Sequence, residues 1–258
     1  MNDLKKYTIL ITGASSGNGY GIAEFCSNYF SRLILVDKDK GGLKKAKEKI
    51  NETKENKNLI IETITCDLSH FSEINLLIKK LHEENISIHC LVNNAGITMP
   101  LKDDFQIEKK LKIWEDTLKV NLTAPFHLSL GLIDLIPPNI GTIINITSLN
   151  SKLAFPNNPA YMASKGGLRQ LSLSLATDLS HKKIRVNSIA PGYFKTNMTK
   201  DSWNDLEKRE LRSSKTLLNR WGSPSELGGL VCFLASNISS YITGQEIYVD
   251  GGWSIKGL

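Results

Sequence analysis

Tyr161 and Lys165 are separated by Met162, Ala163 and Ser164, so on a helix the phenol and the ammonium share one face, a turn apart. A free phenol titrates near ~10, too high to take a proton from an alcohol at neutral pH. A lysine cation about 4 Å away, at an effective dielectric of about 20, favours the phenolate by about 4 kcal/mol. At about 1.4 kcal/mol per pH unit this lowers the pKa by roughly three units at most, because desolvation opposes the shift. Tyr161 then falls where general acid–base catalysis is effective. An ordinary tyrosine–lysine pair on an exposed helix shows no such shift. Ser148 makes the difference: at a neighbouring strand end its hydroxyl can hydrogen-bond a developing alkoxide.

A second set of residues could hold a dinucleotide. TGASSGNG (12–19) spaces its glycines as G-x-x-x-G-x-G between an apolar run and a helix expected to start near Gly19. Gly13 permits a tight turn, Gly17 lets the backbone approach a pyrophosphate, and Gly19 admits close helix packing. The free N–H groups and positive dipole end of the helix complete an anion site. Asp37 follows at the next strand end, where a carboxylate can accept both ribose hydroxyls of NAD and repel the extra phosphate of NADP. Ser15 and Ser16 carry no charge to welcome that phosphate, although Lys38 stands next to Asp37. NAD is therefore expected to be favoured over NADP. The plainer role for Asp37 is a cap on the following helix.

These residues need a scaffold. Apolar runs rich in β-branched residues occur at 7–11, 32–36, 59–65, 89–92, 142–146, 185–190 and 245–249. Helix-length segments separate them, which indicates βαβ units and a parallel sheet covered on both faces. Thr12-Gly13, Asp37, Cys66-Asp67, Asn93-Asn94-Ala95-Gly96, Thr147-Ser148 and Pro191-Gly192 each follow a run, at the sheet edge where ligands bind. With no Pro/Gly/Ser-rich linker and no repeat, the 258 residues are expected to form one domain of α/β class.

Composition narrows the function classes. A chain 41% hydrophobic and 22% charged is that of a soluble globular protein. The net charge of +6 comes with lysines densest in 38–57, where glutamates interrupt them and no aromatics interleave. That pattern is a solvated helix face, not a nucleic-acid stripe. Cys26, Cys66, Cys90 and Cys232 are far apart, and the histidines lack ligand spacing, so neither disulfides nor a metal are expected. No signal h-region or membrane-length apolar run is present. A cytoplasmic protein with no membrane partner is expected.

The sequence resembles the short-chain dehydrogenase/reductase family from about Tyr7 to Trp253. The motifs are TGASSGNG, CDLS (66–69), NNAG (93–96), Asn121 in VNLTAPF, Ser148, the Tyr161/Lys165 pair, PGYFKT (191–196) and ITGQEIYVDGG (242–252). One departure is Asn18, where the family has an aliphatic residue; it bears on loop packing more than on dinucleotide binding. The resemblance implies a single-domain Rossmann fold with a doubly wound seven-stranded parallel sheet. It implies that Asp67, with Leu68 beside it, holds the adenine edge, and that Asn93, Ala95 and Gly96 follow the middle of the cofactor. Pro191 and Gly192 form a cofactor-contacting turn, Thr196 meets the carboxamide or phosphates, and Lys165 meets the nicotinamide ribose. Asn121 would hold a water linking Lys165 to solvent. Asn93 and Thr196 also have plainer readings, as a turn former and a helix cap. A homo-oligomer, dimer or tetramer, is implied, pairing helices at 106–135 and 157–180 with the C-terminal strand as a second interface.

The reaction so implied is reversible hydride transfer between nicotinamide and a secondary alcohol. The phrases SKGGLRQL, PGYFKTNM, NRWGSPSELGGL and VDGGW resemble gluconate 5-dehydrogenase and related sugar-acid dehydrogenases, so a polyol, sugar or sugar acid is the expected substrate. Residues 193–218 are expected to form a lid, and 149–158 the opposite wall, with Lys152 a candidate for an anionic group. Two alternatives remain. A 3-oxoacyl-carrier-protein reductase would use NADPH and a basic surface, for which HKK (181–183) leaves room. A non-catalytic dinucleotide-sensing or scaffold protein would use the same fold without turnover.

Overall fold

The seven apolar runs become strands Thr8–Thr12 (β1), Arg32–Asp37 (β2), Ile60–Thr65 (β3), Cys90–Asn93 (β4), Thr142–Ile146 (β5), Arg185–Pro191 (β6) and Glu246–Val249 (β7). The structure is a computed structural model that describes residues 2–256. Every strand pair is parallel, in the order β3-β2-β1-β4-β5-β6-β7. The chain winds outward from β1 to β3, then returns to continue from β4 on the other side of β1. Such a reversal opens a crevice beyond the carboxyl ends of the strands.

Nine α-helices occur among the described residues: Gly17–Cys26 (α1), Lys40–Thr53 (α2), Phe71–Glu83 (α3), Ile107–Leu118 (α4), Ala124–Gly131 (α5), Pro159–Asp178 (α6), Lys200–Asn204 (α7), Leu206–Ser214 (α8) and Glu226–Ala235 (α9). Strand side chains alternate between faces, and here both faces are buried. Ile9, Ile11, Leu33 and Leu35 pack with Ile22 of α1, Leu43 of α2 and Val231 of α9. Leu10, Ile34 and Val36 pack with Ile74 of α3, Leu128 of α5 and Leu175 of α6. The result is the expected single-domain Rossmann-type α/β fold, with a seven-stranded parallel sheet between two helical layers.

Two segments differ from expectation. The helix expected over 106–135 is interrupted by a π-turn at Lys119–Thr123, between α4 and α5, and ends in a 3₁₀ turn at Ile133–Leu135. Asn121 sits in that π-turn, fully buried. A π-turn inserts a residue and redirects the side chains around it, here turning Asn121 toward the loop after β4. The second difference is in 193–218, where one amphipathic segment becomes α7 and α8, divided at Asp205, whose carboxylate caps α8 through the Lys208 N–H. No helix among the described residues is long and apolar enough to cross a membrane.

Candidate active site

The loop after β1 is shaped by its glycines. Gly13 (φ +66°) and Gly17 (φ +56°) lie in the left-handed region that favours glycine. A Cβ on Gly13 would stand 2.8 Å from Ala95 Cα, and one on Gly19 would stand 2.1 Å from the Gly13 carbonyl oxygen. Gly19 therefore packs the helix onto the loop, while Ser15, Ser16, Gly17 and Asn18 face the cleft. Helix α1 begins at Gly17, two residues earlier than expected, with Ser16 as an N-cap that makes no side-chain cap bond. The first N–H groups of α1 and its positive end stay available to an anion. Asp37 is fixed beside this loop: its two carboxylate oxygens accept the Ser15 and Asp39 N–H groups, each at 3.0 Å.

Loop and sheet are tied by Asn94, to which sequence reasoning gave no contact of its own. Asn94 donates through Nδ2 to the Thr12 and Gly13 carbonyls at 2.9 and 3.2 Å, while the Asn94 and Ala95 N–H groups both donate to Thr12 Oγ1 at 3.0 Å. Ala95 and Gly96 line the cleft with Asn94, and Asn93 does not. Asn93 is buried below it, donating to Asn145 Oδ1 at 2.8 Å and to Ser129 Oγ at 3.3 Å. Asn145 in turn donates to Ser172 Oγ, which also accepts from Ser188. Since Asn93 pairs with Asn145 and Asn145 with Ser188 in the sheet, this polar ladder ties three strands beneath the reacting residues.

Asp67 and Leu68 also lie outside the cleft lining. Leu68 is buried in the core. Asp67 Oδ1 accepts from the Ser69 N–H and hydroxyl at 2.9 and 2.8 Å. Burial opposes ionisation there, yet these hydrogen bonds hold its carboxyl below the usual range. Asp67 is thus occupied in a turn. Lys152, a candidate for the far wall, faces away: its ammonium lies 5.6 Å from the Tyr248 ring centroid. Pro191, Gly192 and Thr196 all line the cleft, and Thr196 also closes a capping box with Thr199.

The reacting groups converge from β5 and α6. Ser148 N-caps a 3₁₀ turn, with its Oγ accepting the Asn150 N–H at 3.2 Å and donating to Asn150 Oδ1 at 3.1 Å. Tyr161 and Lys165 stand one turn apart near the start of α6, as expected. Lys165 is buried, and Nζ donates to the Ile146 carbonyl at 2.7 Å. Burial lowers its pKa to about 8. The Tyr161 pKa is raised by burial, against a hydrogen bond with Ser148 that lowers it, and Tyr193 adds to the rise. This corrects the expectation of a lysine-acidified phenol in the protein alone. The ammonium lies 5.7 Å from the ring centroid and is engaged elsewhere, so desolvation wins.

Asn121 meets this group from below. Its Oδ1 accepts the Ile97 N–H at 2.8 Å, and its Nδ2 donates to the Ile97 carbonyl at 2.9 Å and to Ser164 Oγ at 3.0 Å. A Cβ on Gly96 would sit 3.4 Å from Asn121 Oδ1 and 3.5 Å from Lys165 Nζ, so the three residues are neighbours. The Asn121 side chain is a clamp between the β4 loop and α6.

The glycine loop, Asp37, Ser148, Tyr161 and Lys165 border one cleft of about 690 Å³, within the size range of cofactor and substrate sites. It runs from Asp37, past the glycine loop, to Ser148 and Tyr161. Beyond Tyr161 its wall contains Asn150, Phe155 and Asn158, from the segment 149–158 expected to form it, with Tyr193 and Arg212 from the expected lid. Sequence reasoning gave none of these five side chains a role of its own. An aromatic chain holds this wall. Tyr193 stacks on Trp253 at 5.1 Å and meets Trp221 edge-on at 5.2 Å, Trp221 meets Trp203 at 5.3 Å, and Phe155 lies 6.0 Å from Trp253. Among the described residues no cluster of three His, Cys, Asp or Glu could hold a metal ion.

A nicotinamide dinucleotide fits what is present: a left-handed glycine turn a Cβ would crowd, an uncapped helix N-terminus, and a fixed carboxylate beyond the next strand. Residues 13–254 match the family model described as enoyl-(acyl carrier protein) reductase, of the short-chain dehydrogenase/reductase group. This chain belongs to the short-chain dehydrogenase/reductase family. It is an oxidoreductase of the kind that uses NAD(P) and acts on alcohol or ketone groups. The chain is 37% identical over 253 residues to a 3-oxoacyl-acyl-carrier-protein reductase of Rickettsia bellii, and 33% identical over 258 residues to 5-keto-D-gluconate 5-reductase of Escherichia coli, with 98% of each chain covered in both. It also superposes on a gluconate 5-dehydrogenase from Burkholderia cenocepacia in complex with NADP and tartrate. There the TM-score is 0.85 at 28% identity, covering 97% of this chain and 96% of that one.

Proposed function

We propose that this short-chain dehydrogenase/reductase interconverts a secondary alcohol and a ketone on a polyol, sugar or sugar acid. The observation that supports this most is the meeting of Ser148 and Tyr161, above a buried Lys165, in the same cleft as the glycine turn. The bound cofactor supplies or accepts the hydride. In reduction, Tyr161 gives its phenolic proton to the substrate oxygen while the Ser148 hydroxyl donates a hydrogen bond to that oxygen. In alcohol oxidation the proton returns to Tyr161. Lys165, cationic below its pKa of about 8, favours the phenolate that remains after proton donation. Asn121 positions this lysine's surroundings by clamping Ile97 to Ser164. Gly13, Ser15, Ser16, Gly17, Asn18, Ala95, Gly96, Pro191, Gly192 and Thr196 would hold the dinucleotide.

We further propose NAD(H) over NADP(H). Asp37, pinned by two N–H groups beside the phosphate loop, places negative charge where a 2′-phosphate would lie, and Lys38 in the same wall offsets only part of it. Comparing kcat/KM for NADH and NADPH tests this. A preference for NADH of about tenfold or more is expected, equivalent to about 1.4 kcal/mol, and a preference for NADPH overturns it. The chain is also proposed to assemble as a dimer or tetramer, supported by the exposed Leu111, Trp114, Phe126 and Leu130 on α4 and α5. For the reaction itself, a cofactor-linked screen of sugar acids, polyols and ketoacyl thioesters is the test. Turnover of a polyol or sugar acid is expected, whereas turnover of thioesters alone would favour the carrier-protein reductase that the Rickettsia relative represents.

A further inference from the structure

Arg212 is the cation of the cleft that lies beyond the catalytic tyrosine. It projects from the last turn of α8 into the wall shared with Ser148, Tyr161 and Tyr193. Its guanidinium carbon lies 4.6 Å from the Tyr193 ring centroid, and Tyr193 is itself stacked on Trp253. The plane of the guanidinium is therefore supported, which reduces the entropy lost when it binds a ligand. Its Nη1 is buried without a hydrogen-bond partner, and among the described residues no carboxylate pairs with Arg212. A buried guanidinium N–H without an acceptor is costly. The carboxylates that line the cleft, Asp37 and Asp39, belong to the end of β2 and the turn after it.

A second unpaired group belongs to a residue of the same lining. Asn158, just before α6, donates through Nδ2 to Thr98 Oγ1 at 2.6 Å, which leaves its carbonyl Oδ1 buried and without a partner. The substrate end of the cleft thus has an unpaired cationic donor and an unpaired neutral acceptor, while Lys165 is committed to the Ile146 carbonyl. A carboxylate answers the first in a planar, fork-like pairing, and a hydroxyl group answers the second.

We propose that Arg212 is the specificity-determining residue for a substrate carboxylate, with Asn158 Oδ1 accepting from a hydroxyl of the same molecule. The ligand class is a polyhydroxy carboxylate. This deepens the proposed reaction and rests on it for the placement of the substrate. Arg212 would sort acids from neutral polyols, and Tyr161 would act on whichever is seated.

The test is calorimetric titration of the protein in saturating NADH, and in NADPH in a parallel arm, where an alcohol ligand cannot react. The probes are aldonates paired with the alditols that carry CH2OH in place of the carboxylate: D-gluconate with sorbitol, D-galactonate with galactitol and D-mannonate with mannitol. Wild type is expected to bind at least one aldonate about tenfold or more tighter than its alditol. Arg212→Gln is expected to abolish that difference, Arg212→Lys to keep part of it, and NADH affinity to stay within about twofold in both. The proposal is overturned if no pair shows a preference in wild type, or if Arg212→Gln keeps it. It is equally overturned if Arg212→Gln weakens NADH and the aldonate by the same factor, which would make the residue structural or a cofactor contact. With no aldonate preference, turnover of neutral secondary alcohols that is lost in Tyr161→Phe would leave the reaction standing while this proposal fell. An aldonate preference without turnover of any alcohol or ketone would do the reverse.

Discussion

At the scale of single residues, the account depends on a phenol that burial makes a weaker acid and a lysine that burial makes a weaker base. Tyr161 is then protonated throughout the neutral range in the protein alone, ready to give a proton to a carbonyl. Carbonyl reduction is accordingly expected to hold level from about pH 6 to 7.5 and to fall only as the phenol loses its proton at higher pH. Alcohol oxidation, which needs the phenolate, is expected to rise with pH over the same interval. Profiles of kcat/KM in the two directions check this, and an oxidation rate that falls with rising pH contradicts it. Ser148→Ala removes the hydrogen bond to the reacting oxygen and is expected to lower kcat by about 10²–10³, with cofactor affinity little changed. The types and spacing of these residues were legible in the sequence, because four positions along a helix fix a shared face. Their protonation was not. It depends on where Lys165 Nζ points and on how much protein surrounds the phenol, and neither is encoded in spacing.

At the scale of elements, the glycine loop works because neighbouring backbone leaves no room for a side chain. The same holds where α1 meets the turn that leads into α9. A Cβ on Gly21 would fall 2.4 Å from Pro224 Cβ and 2.5 Å from the Pro224 carbonyl carbon, so Gly21→Ala must push α1 off the turn that leads into α9, at a cost of about 1–3 kcal/mol. Gly41, in the exposed first turn of α2, meets nothing nearer than Asp39 Oδ1 at 3.5 Å, and Gly41→Ala is expected to stabilise by about 0.5 kcal/mol. Urea unfolding of the two variants checks both signs. The inner strands were readable as apolar runs because a doubly covered parallel sheet leaves them no polar face, and the partly buried edge strands β3 and β7 were readable from their β-branched and aromatic residues. The π-turn at 119–123 was not, since no local residue pattern marks it. Its cause is long-range: Asn121 reaches Ile97 and Ser164. The same applies to Asn93, whose NNAG setting suggested a ligand contact, while its side chain joins a ladder with Asn145 beneath the cleft.

At the scale of the whole molecule, the site is maintained against stability. Lys165 binds its proton less tightly in the folded chain, where its pKa is about 8, than in the unfolded chain, where it is near 10.5. Below pH 8 the folded protein bears the full cost of a buried cation. Between 8 and 10.5 the unfolded chain holds more protons at this group, so its contribution to stability improves as pH rises. Lys165→Met, which loses the bond to the Ile146 carbonyl but no longer buries a charge, is expected to be more stable than wild type at pH 7 by about 1–3 kcal/mol. That advantage should shrink by pH 10 while activity is lost at both. Denaturant midpoints at the two pH values decide it, and a variant less stable at pH 7 than at pH 10, relative to wild type, contradicts it. The substrate wall belongs to this scale as well. Phe155, Tyr193, Trp203, Trp221 and Trp253 are scattered through the second half of the chain and form one connected chain of rings only after folding. Arg212 acquires its meaning from that assembly, which no local reading of the lid could supply.

The central claim is that the Tyr161 hydroxyl carries the proton. Its most direct test is the steady-state rate of cofactor-linked ketone reduction in Tyr161→Phe, with NADH affinity measured on the same preparation. The account predicts NADH binding within about twofold of wild type and kcat lowered by about 10² or more. A Tyr161→Phe protein that binds NADH normally and retains more than about a tenth of the wild-type kcat would contradict it.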